Sequence, residues 1–310
     1  MTSSPGARFG SMVTAMVTPF DDGGALDADG AARLARHLVD NGNDGLVVAG
    51  TTGEGPVLSA DELSSLWRAV REAVTVPILA GTGTNDTAHS IETTKLAEDA
   101  GVDGILLVTP YYNRPSQQGI AAHFTAVAAS TTLPVLLYDI PVRSGRRIEL
   151  DTMLHMARTV PNVVGVKDAS GDVAGTARLV HEAPPSFAVY SGDDVLTLAL
   201  LAVGAVGVIS VAGHWAGLDI AEMLACFAKG DVEGARLANG RLLESYAFAS
   251  SDAFPNPLPA KAACRVLGLP AGQCRLPMGP APAELDQRAR EVVGALGRGP
   301  DARSGGGPVG

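Results

Sequence analysis

The chain has 310 residues, of which 46% are hydrophobic and 18% charged, so it can bury a sizeable core in one large domain with an appendage. Its 23 Lys and Arg against 33 Asp and Glu give a formal net charge of −10, which argues against a polyanionic partner, because phosphate binding relies on clustered basic residues. The ligand we expect is a small molecule, and we expect no nucleic acid partner.

The cysteine pattern and the N-terminus favour a reducing cytoplasm. Cys226, Cys264 and Cys274 form no Cys-x-x-Cys motif. The first residues lack an apolar segment behind a basic start, and no apolar stretch approaches the roughly 20 residues that a membrane-spanning helix needs. We therefore expect a cytoplasmic protein that does not bind a membrane.

Short apolar runs ending in turn residues alternate with helical patterns along most of the chain. In order, the runs are 12–17, 45–48, 77–80, 104–108, 134–138, 163–167, 187–190 and 207–210. Asp27 is a cap for the first helix, and Ser59 with Glu62 forms a capping box for the second. Eight strand-helix units predict an α/β fold, a parallel (β/α)8 or TIM barrel.

An open doubly wound sheet is the alternative fold. It would normally carry fewer strands and, for a dinucleotide, a Gly-x-Gly-x-x-Gly turn. Gly81-Thr82-Gly83 lacks the third glycine, and no Walker-type Gly-Lys-Thr/Ser occurs. The barrel is therefore favoured.

Beyond the eighth run the pattern becomes helical, over 220–228, 232–248, 259–267 and 283–296. We predict four parts: a flexible N-terminus (1–8), a barrel (9–219), a C-terminal helical domain (220–296) and a disordered, Gly- and Pro-rich tail (297–310).

Chemically useful side chains follow several of the predicted strands, whose carboxyl ends converge on one face of a barrel. They are Thr51, Thr52, Tyr111, Tyr112, Tyr138, Arg143, Lys167, Gly192 and Ile209. This set contains no histidine or carboxylate cluster that suits a metal, and the six histidines are scattered. We expect neither a metal nor a cofactor.

Lys167 closes an apolar run that reads as a buried parallel strand. Alone, it could cap the strand and extend to solvent, as many lysines do. Placed sixth of eight, among tyrosine and threonine hydroxyls, it suits Schiff-base chemistry, because burial lowers a lysine pKa towards the neutral, nucleophilic form. A tyrosine can move the protons, and Arg143 can bind a carboxylate in bidentate fashion. Each residue taken singly also has an ordinary structural explanation.

Four motifs then resemble one family. They are Gly-Thr-Thr-Gly-Glu at 50–54, Pro-Tyr-Tyr-Asn-Arg-Pro at 110–115, Tyr-Asp-Ile-Pro at 138–141 and Val-Lys-Asp-Ala at 166–169. Together they resemble the pyruvate-dependent class I aldolase family of dihydrodipicolinate synthase and N-acetylneuraminate lyase, over about residues 9–295. Arg143 and the Pro-Tyr-Tyr triplet favour the dihydrodipicolinate synthase branch. Asp139 stands where many members have Asn, a change that we expect to be tolerated.

The resemblance implies the catalytic roles. Lys167 would form an imine with pyruvate, so that no cofactor is needed, and Tyr138 would be the general acid/base. Thr52 would relay protons from Tyr138 to Tyr112, which in this family reaches in from a neighbouring subunit. A homotetramer, built as a dimer of dimers, is therefore expected.

The resemblance also implies the substrates. Thr51 and Thr52 would hold the pyruvate carboxylate, Arg143 would bind the carboxylate of L-aspartate-4-semialdehyde, and the carbonyls of Gly192 and Ile209 would line the pocket. The expected lyase reaction is condensation to 4-hydroxy-tetrahydrodipicolinate, in lysine and diaminopimelate biosynthesis.

Two alternatives stay open at this point. The first is a related pyruvate-dependent aldolase, lyase or dehydratase acting on a 2-keto-3-deoxy sugar acid, hydroxy-oxoglutarate or N-acetylneuraminate. The second is a non-catalytic relative that binds a keto acid, although such a protein has no reason to keep the lysine, tyrosines and arginine together.

Overall fold

The protein is described by a computed structural model that covers residues 6–249 and 251–297. The predicted disordered tail, 297–310, lies outside the described residues apart from Gly297, and so do residues 1–5 of the predicted flexible N-terminus.

Eight short strands form a closed parallel barrel. They are β1 (Met12–Ala15), β2 (Gly45–Val48), β3 (Ile78–Gly81), β4 (Gly104–Val108), β5 (Val135–Asp139), β6 (Val163–Asp168), β7 (Ala188–Ser191) and β8 (Gly207–Ser210). Each strand pairs with the next in sequence, and β8 pairs with β1. The predicted fold class is confirmed, because eight β-branched and aliphatic runs of this length can bury both faces only inside a ring of helices.

Twelve α-helices lie in the described part of the chain. They are α1 (Ala28–Asp40), α2 (Ala60–Ala73), α3 (Thr87–Asp99), α4 (Gln117–Ala128), α5 (Pro141–Ser144), α6 (Leu150–Thr159), α7 (Val173–Glu182), α8 (Thr197–Ala202), α9 (Gly213–Ala228), α10 (Val232–Ala249), α11 (Leu258–Val266) and α12 (Ala283–Ala295). Side chains cap several of them, and the predicted capping box of Ser59 and Glu62 is present at the start of α2.

Helix α9 includes a first turn at 213–215 that is separated by a kink from its main part, because Ala216 has a non-helical φ of −118° and ψ of 19°. The main part therefore begins close to the predicted residue 220. A Cβ atom on Gly213 would lie 2.0 Å from Thr14 Oγ1 of β1, so only glycine allows the close approach of the first turn. The predicted boundary between barrel and appendage at 219/220 therefore falls inside α9, and its position stays a prediction.

Small and aliphatic side chains fill the barrel interior, and the N-terminal segment closes its amino end. Val13, Val47, Leu79, Leu106 and Leu136 are fully or almost fully buried there. Phe9 covers the amino end of β4, where a Cβ atom on Gly104 would lie 2.8 Å from its ring, and its N–H donates to the Tyr190 hydroxyl at 3.2 Å. The amino end is therefore packed, and the carboxyl end is the face that is left for chemistry.

The last four helices form the predicted appendage. Helix α9 packs on α10 and on β1, and α11 packs on α12 and on α9. Trp215 of α9 meets Phe248 of α10 edge-on, with ring centroids 5.6 Å apart. Among the described helices, none has the length and apolar character needed to span a membrane.

Candidate active site

Lys167 and Tyr138 lie side by side inside the barrel. They are register partners on β6 and β5, next to the carboxyl ends of these strands. Lys167 is 4% exposed and Tyr138 is 5% exposed, and Lys167 Nζ lies 4.3 Å from the centre of the Tyr138 ring. The sequence predicted that these two side chains lie close together, and the structure places them so. The amine lies against an aromatic face in a buried site.

The environment of Lys167 makes its amine partly neutral near physiological pH. Burial lowers the pKa of Lys167 to about 8; the carboxylate of Asp194 opposes this shift and the guanidinium of Arg143 adds to it. A neutral amine has the lone pair that attacks a carbonyl carbon, so Lys167 has the character of a nucleophile.

The environment of Tyr138 keeps its phenol protonated. Burial raises the pKa of Tyr138 far above its usual range, while the positive charge of Arg143 and the polar side chain of Thr51 act in the opposite direction. The phenol can therefore donate a proton at neutral pH, and Arg143 and Thr51 would stabilise it briefly as a phenolate.

The loop after β2 brings both threonines to this face, but it gives them different partners. The Thr51 side chain lies close enough to Tyr138 to lower the pKa of its phenol, whereas the hydroxyl of Thr52, which is 2% exposed, accepts a hydrogen bond of 2.9 Å from Asn256 Nδ2. The sequence-based prediction gave the relay from Tyr138 to Thr52. That relay stays a prediction.

Asn256 is a site residue that the sequence reasoning missed. It lies just before α11, is 6% exposed, and joins two predicted substrate contacts: its side chain donates to Thr52, and its carbonyl accepts from Arg143 Nη2 at 3.2 Å. Its own Oδ1 atom is buried without a hydrogen-bond partner. The only local signal is an asparagine between Pro255 and Pro257, which marks a loop but does not indicate that the loop returns to β2.

Arg143 lies on α5, a single helical turn immediately after β5. Its side chain is exposed at the mouth of the barrel and influences the pKa of both Lys167 and Tyr138. A guanidinium at this place can bind a carboxylate in bidentate fashion.

Gly192 and Ile209 complete the wall of the site. A Cβ atom on Gly192 would lie 2.9 Å from Lys167 Cγ, so this position after β7 has no room for a side chain. The Gly192 N–H donates to the Asp168 carbonyl at 2.7 Å. Ile209 of β8 is 1% exposed and packs in the same interior cluster as Tyr138.

Tyr112 is placed apart from this buried cluster. Its side chain is 90% exposed, on the loop after β4, and its backbone has a left-handed φ of 72°. Val142, on α5 beside Arg143, is 87% exposed. Exposed tyrosine and valine side chains favour burial against another protein surface.

Asp194 is a second residue that the sequence reasoning passed over as part of a turn. It is 8% exposed, and its Oδ2 accepts hydrogen bonds of 2.9 Å from the N–H groups of Val211 and Ala212 after β8. Its negative charge raises the pKa of Lys167 and so limits the effect of burial on that amine.

Two carboxyl groups lie immediately behind the site, on the outer faces of β5 and β6. Asp139 and Asp168 are register partners and are both buried. Burial raises the pKa of Asp139 to about 7; a hydrogen bond from the Ile148 N–H lowers it and the neighbouring Asp168 raises it further. Asp168 accepts hydrogen bonds of 2.5 Å from Thr176 and 2.9 Å from the Ser170 N–H. These contacts fix the strand ends that carry Tyr138 and Lys167.

The described residues contain no group of three or more His, Cys, Asp or Glu side chains arranged to hold a metal ion. The chemistry that the arrangement can perform directly is imine formation on Lys167, with proton transfer through Tyr138 and Thr51.

Comparison with known proteins places this geometry in a family. A model of the dihydrodipicolinate synthetase family matches residues 8–296. The chain is 51% identical over 294 residues to the 4-hydroxy-tetrahydrodipicolinate synthase of Moorella thermoacetica, covering 94% of this chain and 99% of the relative. It is 46% identical over 277 residues to the enzyme of the same name from Bacillus subtilis, covering 88% of this chain and 94% of the relative.

Solved structures agree with the sequence relatives. The dihydrodipicolinate synthase of Bacillus anthracis superposes with a TM-score of 0.88 at 43% identity, over 92% of this chain and 98% of that one. The lysine-bound enzyme of Cyanidioschyzon merolae superposes with a TM-score of 0.89 at 43% identity, over 93% and 98% of the two chains. The resemblance seen in the four sequence motifs is confirmed, and the chain belongs to the dihydrodipicolinate synthetase family.

Proposed function

We propose that this protein is a 4-hydroxy-tetrahydrodipicolinate synthase, a lyase of lysine and diaminopimelate biosynthesis that condenses pyruvate with L-aspartate-4-semialdehyde. The observation that carries the proposal is the buried Lys167 amine, with a pKa of about 8, packed against the Tyr138 ring. The relatives of this name, which match nearly the whole chain, support the choice of substrates.

The first half of the reaction joins pyruvate to Lys167. The neutral amine attacks the C2 carbonyl carbon, and Tyr138 gives its proton to the carbonyl oxygen, which leaves as water after a second proton transfer. Thr51 and Thr52 hold the pyruvate carboxylate through hydroxyl and backbone N–H groups. The protonated imine withdraws electrons from C2, so that loss of a C3 proton gives an enamine. Lys167 itself supplies the electron sink, and the chemistry therefore needs no cofactor.

The second half forms the carbon–carbon bond. Arg143 binds the carboxylate of the semialdehyde, and the enamine carbon attacks the aldehyde carbon, whose oxygen takes up a proton from Tyr138. The α-amino group of the bound chain then attacks the imine carbon and displaces Lys167, which closes the six-membered ring. The carbonyls of Gly192 and Ile209 line the pocket in which this occurs.

We assign the proton relay to Thr51, in place of the Thr52 of the sequence-based prediction. Thr51 is supported by its side chain, which lowers the pKa of Tyr138, whereas the Thr52 hydroxyl accepts a hydrogen bond from Asn256. The relay would end on Tyr112 of a second copy of the chain, and the 90% exposure of this side chain supports that arrangement. A homotetramer built as a dimer of dimers, in the cytoplasm, is the assembly that we propose.

The other pyruvate-dependent activities are less well supported. Arg143 at the mouth of the site suits an aldehyde with its own carboxylate, whereas a long sugar-acid chain would need several hydroxyl partners there. A protein that only binds a keto acid would gain nothing from the lowered pKa of Lys167.

Reductive trapping tests the proposal directly. Borohydride added with pyruvate should attach the reduced adduct to Lys167, and peptide mass spectrometry should find Lys95, Lys229 and Lys261 unmodified. The Lys167→Met variant is the control and should give no adduct. Turnover with L-aspartate-4-semialdehyde, compared with a panel of sugar-acid aldehydes, tests the second substrate. An adduct on another lysine would refute the mechanism, and turnover of a sugar acid alone would favour the alternative activity.

A further inference from the structure

A fully buried ion pair connects the C-terminal appendage to the loop that carries the two threonines. Lys261 of α11 and Glu54 of the loop after β2 lie with Nζ and Oε1 2.7 Å apart, and their side chains are 0% and 3% exposed. Lys261 also donates to the Gln273 carbonyl at 2.9 Å and lies 4.1 Å from the centre of the Phe20 ring. The amine is therefore held from three sides, by Glu54, Gln273 and Phe20.

Glu54 receives further hydrogen bonds from the appendage. The N–H of Arg275 donates to its Oε2 at 2.9 Å, and Cys274 lies close enough for the Glu54 carboxylate to raise the pKa of its thiol. The backbone of Glu54 is left-handed, with a φ of 55°, a conformation that costs free energy for a residue with a Cβ atom. The appendage contacts thus hold this residue in a conformation that the loop alone would not favour.

A buried ion pair is a poor way to stabilise a fold, because desolvation of the two charges offsets most of their attraction, and apolar side chains of similar size often do as well. What such a pair does provide is a defined geometry, since each charge accepts only a few positions of its partner. Its location therefore matters more than its contribution to stability.

The position of Glu54 affects the positions of Thr51 and Thr52, because the loop between them is short and tightly packed. Glu54 is two residues from Thr52 and three from Thr51. A Cβ atom on Gly55 would lie 2.3 Å from the Ala49 carbonyl, and the Gly53 carbonyl accepts a hydrogen bond of 2.6 Å from Thr18. A shift of Glu54 therefore moves the two threonine hydroxyls.

We propose that the Lys261–Glu54 pair is a positioning device for pyruvate binding, which holds the Thr51 and Thr52 hydroxyls where the keto acid carboxylate and Tyr138 need them. The proposal rests on the pyruvate chemistry proposed above. It assigns the appendage a part in catalysis through residues that touch neither the substrate nor Lys167.

The test compares Lys261→Met with a matched variant of the same helix, Arg265→Met. Arg265 pairs with Asp286 of α12 at 2.5 Å and donates to the Gly272 carbonyl, so its loss loosens the appendage without touching Glu54. The rate of borohydride-trapped adduct formation is measured against pyruvate concentration, well below each variant's Tm. Lys261→Met should raise the pyruvate concentration for half-maximal trapping, or lower the limiting rate, on the order of tenfold to a hundredfold. Arg265→Met should trap as the wild type does.

A second variant covers the case in which Lys261→Met does not fold. Glu54→Gln keeps the size of the side chain but offers one accepting oxygen to the two donors, Lys261 and the Arg275 N–H, so it should weaken pyruvate trapping in the same direction. Normal trapping by folded Lys261→Met or Glu54→Gln would overturn the proposal, and so would an equal loss in Arg265→Met. Absence of an adduct in the wild type would instead refute the proposed function.

Discussion

At the scale of single residues, the site depends on how burial changes the ionisation of two neighbours. The same loss of water makes the Lys167 amine easier to deprotonate and the Tyr138 phenol harder to deprotonate. Attack on a carbonyl and donation of a proton therefore become possible in the same pH range.

The pH dependence of imine formation follows from the pKa of Lys167. Because only the neutral amine attacks, the trapping rate with pyruvate should rise with pH through about 8 and fall about tenfold for each pH unit below it. Arg143 helps to lower this pKa, so Arg143→Met should move the midpoint to higher pH, whereas Arg178→Met on α7 should leave it in place. Stopped-time borohydride trapping from pH 6 to 9 measures both; a rate that is flat across this range would contradict the prediction.

Gly192 tests how closely the wall of the site fits Lys167. In Gly192→Ala the new methyl group would meet Lys167 Cγ and the Ala169 side chain, so we expect pyruvate trapping to slow by roughly tenfold or more. Gly240→Ala in α10 is the control, because nothing lies within 4 Å of its new Cβ atom. That change should raise the free energy of unfolding by roughly 1 kcal/mol, with unchanged turnover. Equal trapping rates in the two variants would mean that the space beside Lys167 is not limiting.

At the scale of elements, the adjacent strands β5 and β6 carry both the proposed reactive side chains and the carboxyl groups that hold the strand ends in place. Their inner faces present Tyr138 and Lys167, and the next residue on each strand, Asp139 and Asp168, points outwards to the helices. The alternation of side chains in a strand thus places the reactive pair and the supporting carboxyl pair back to back.

Asp139 should make the protein less stable as the pH rises. Its folded-state pKa of about 7 lies above the ordinary value near 4, so the folded protein holds the proton more tightly, and this contribution is lost between pH 4 and 7. Asp139→Asn should therefore reduce the loss of unfolding free energy between pH 5 and 8, by up to about 1.4 kcal/mol per unit of pKa difference. The fall in Tm over this pH range should become smaller accordingly. Turnover should stay within about twofold.

Asp172, which caps α7, serves as a control, because its pKa is shifted in the opposite direction from that of Asp139. A hydrogen bond from the Gly175 N–H lowers the pKa of its carboxyl, so Asp172→Asn should remove stability that the wild type loses on acidification. Thermal unfolding at three pH values separates the two variants. An identical pH dependence of Tm in Asp139→Asn and the wild type would contradict the assignment to Asp139.

The sequence predicted the strands well, and it predicted which polar side chains lie together at the ends of β5 and β6, because each is marked by a local pattern: an apolar run closed by a residue type that is unusual there. Lys167 and Tyr138 are of this kind. Asn256 and the Lys261–Glu54 pair could not be predicted, since their partners lie about 200 residues away in sequence. The choice of Thr51 or Thr52 as the proton relay also needed the fold, because the sequence does not show which way each of two adjacent threonine side chains points.

At the scale of the whole molecule, the proposed role of the exposed Tyr112 makes activity dependent on assembly, which can be tested. If Tyr112 serves the site of a second copy, Tyr112→Phe and Lys167→Met subunits are each deficient alone, but a mixed oligomer contains sites with an intact Lys167 and an intact neighbouring Tyr112. Mixing the two variants after dissociation should restore turnover well above that of either one. Size-exclusion chromatography with light scattering provides the oligomeric state for each sample.

The subunit-mixing experiment has a clear control and a clear contrary result. Mixing Lys167→Met with Tyr138→Phe should restore nothing, because both side chains belong to the site of one chain. No recovery in the Tyr112→Phe mixture, with mixed oligomers present, would confine Tyr112 to its own subunit.

The contacts that the appendage makes with the β2 loop also fix when the site can become complete during synthesis. Thr52 and Glu54 receive their partners from Asn256, Lys261 and Arg275, all of which are synthesised after the eighth strand. A nascent chain can therefore close its barrel and bury Lys167 before its threonine loop is held in place. Lys167 is therefore synthesised well before Asn256, Lys261 and Arg275, the residues that hold the threonine loop.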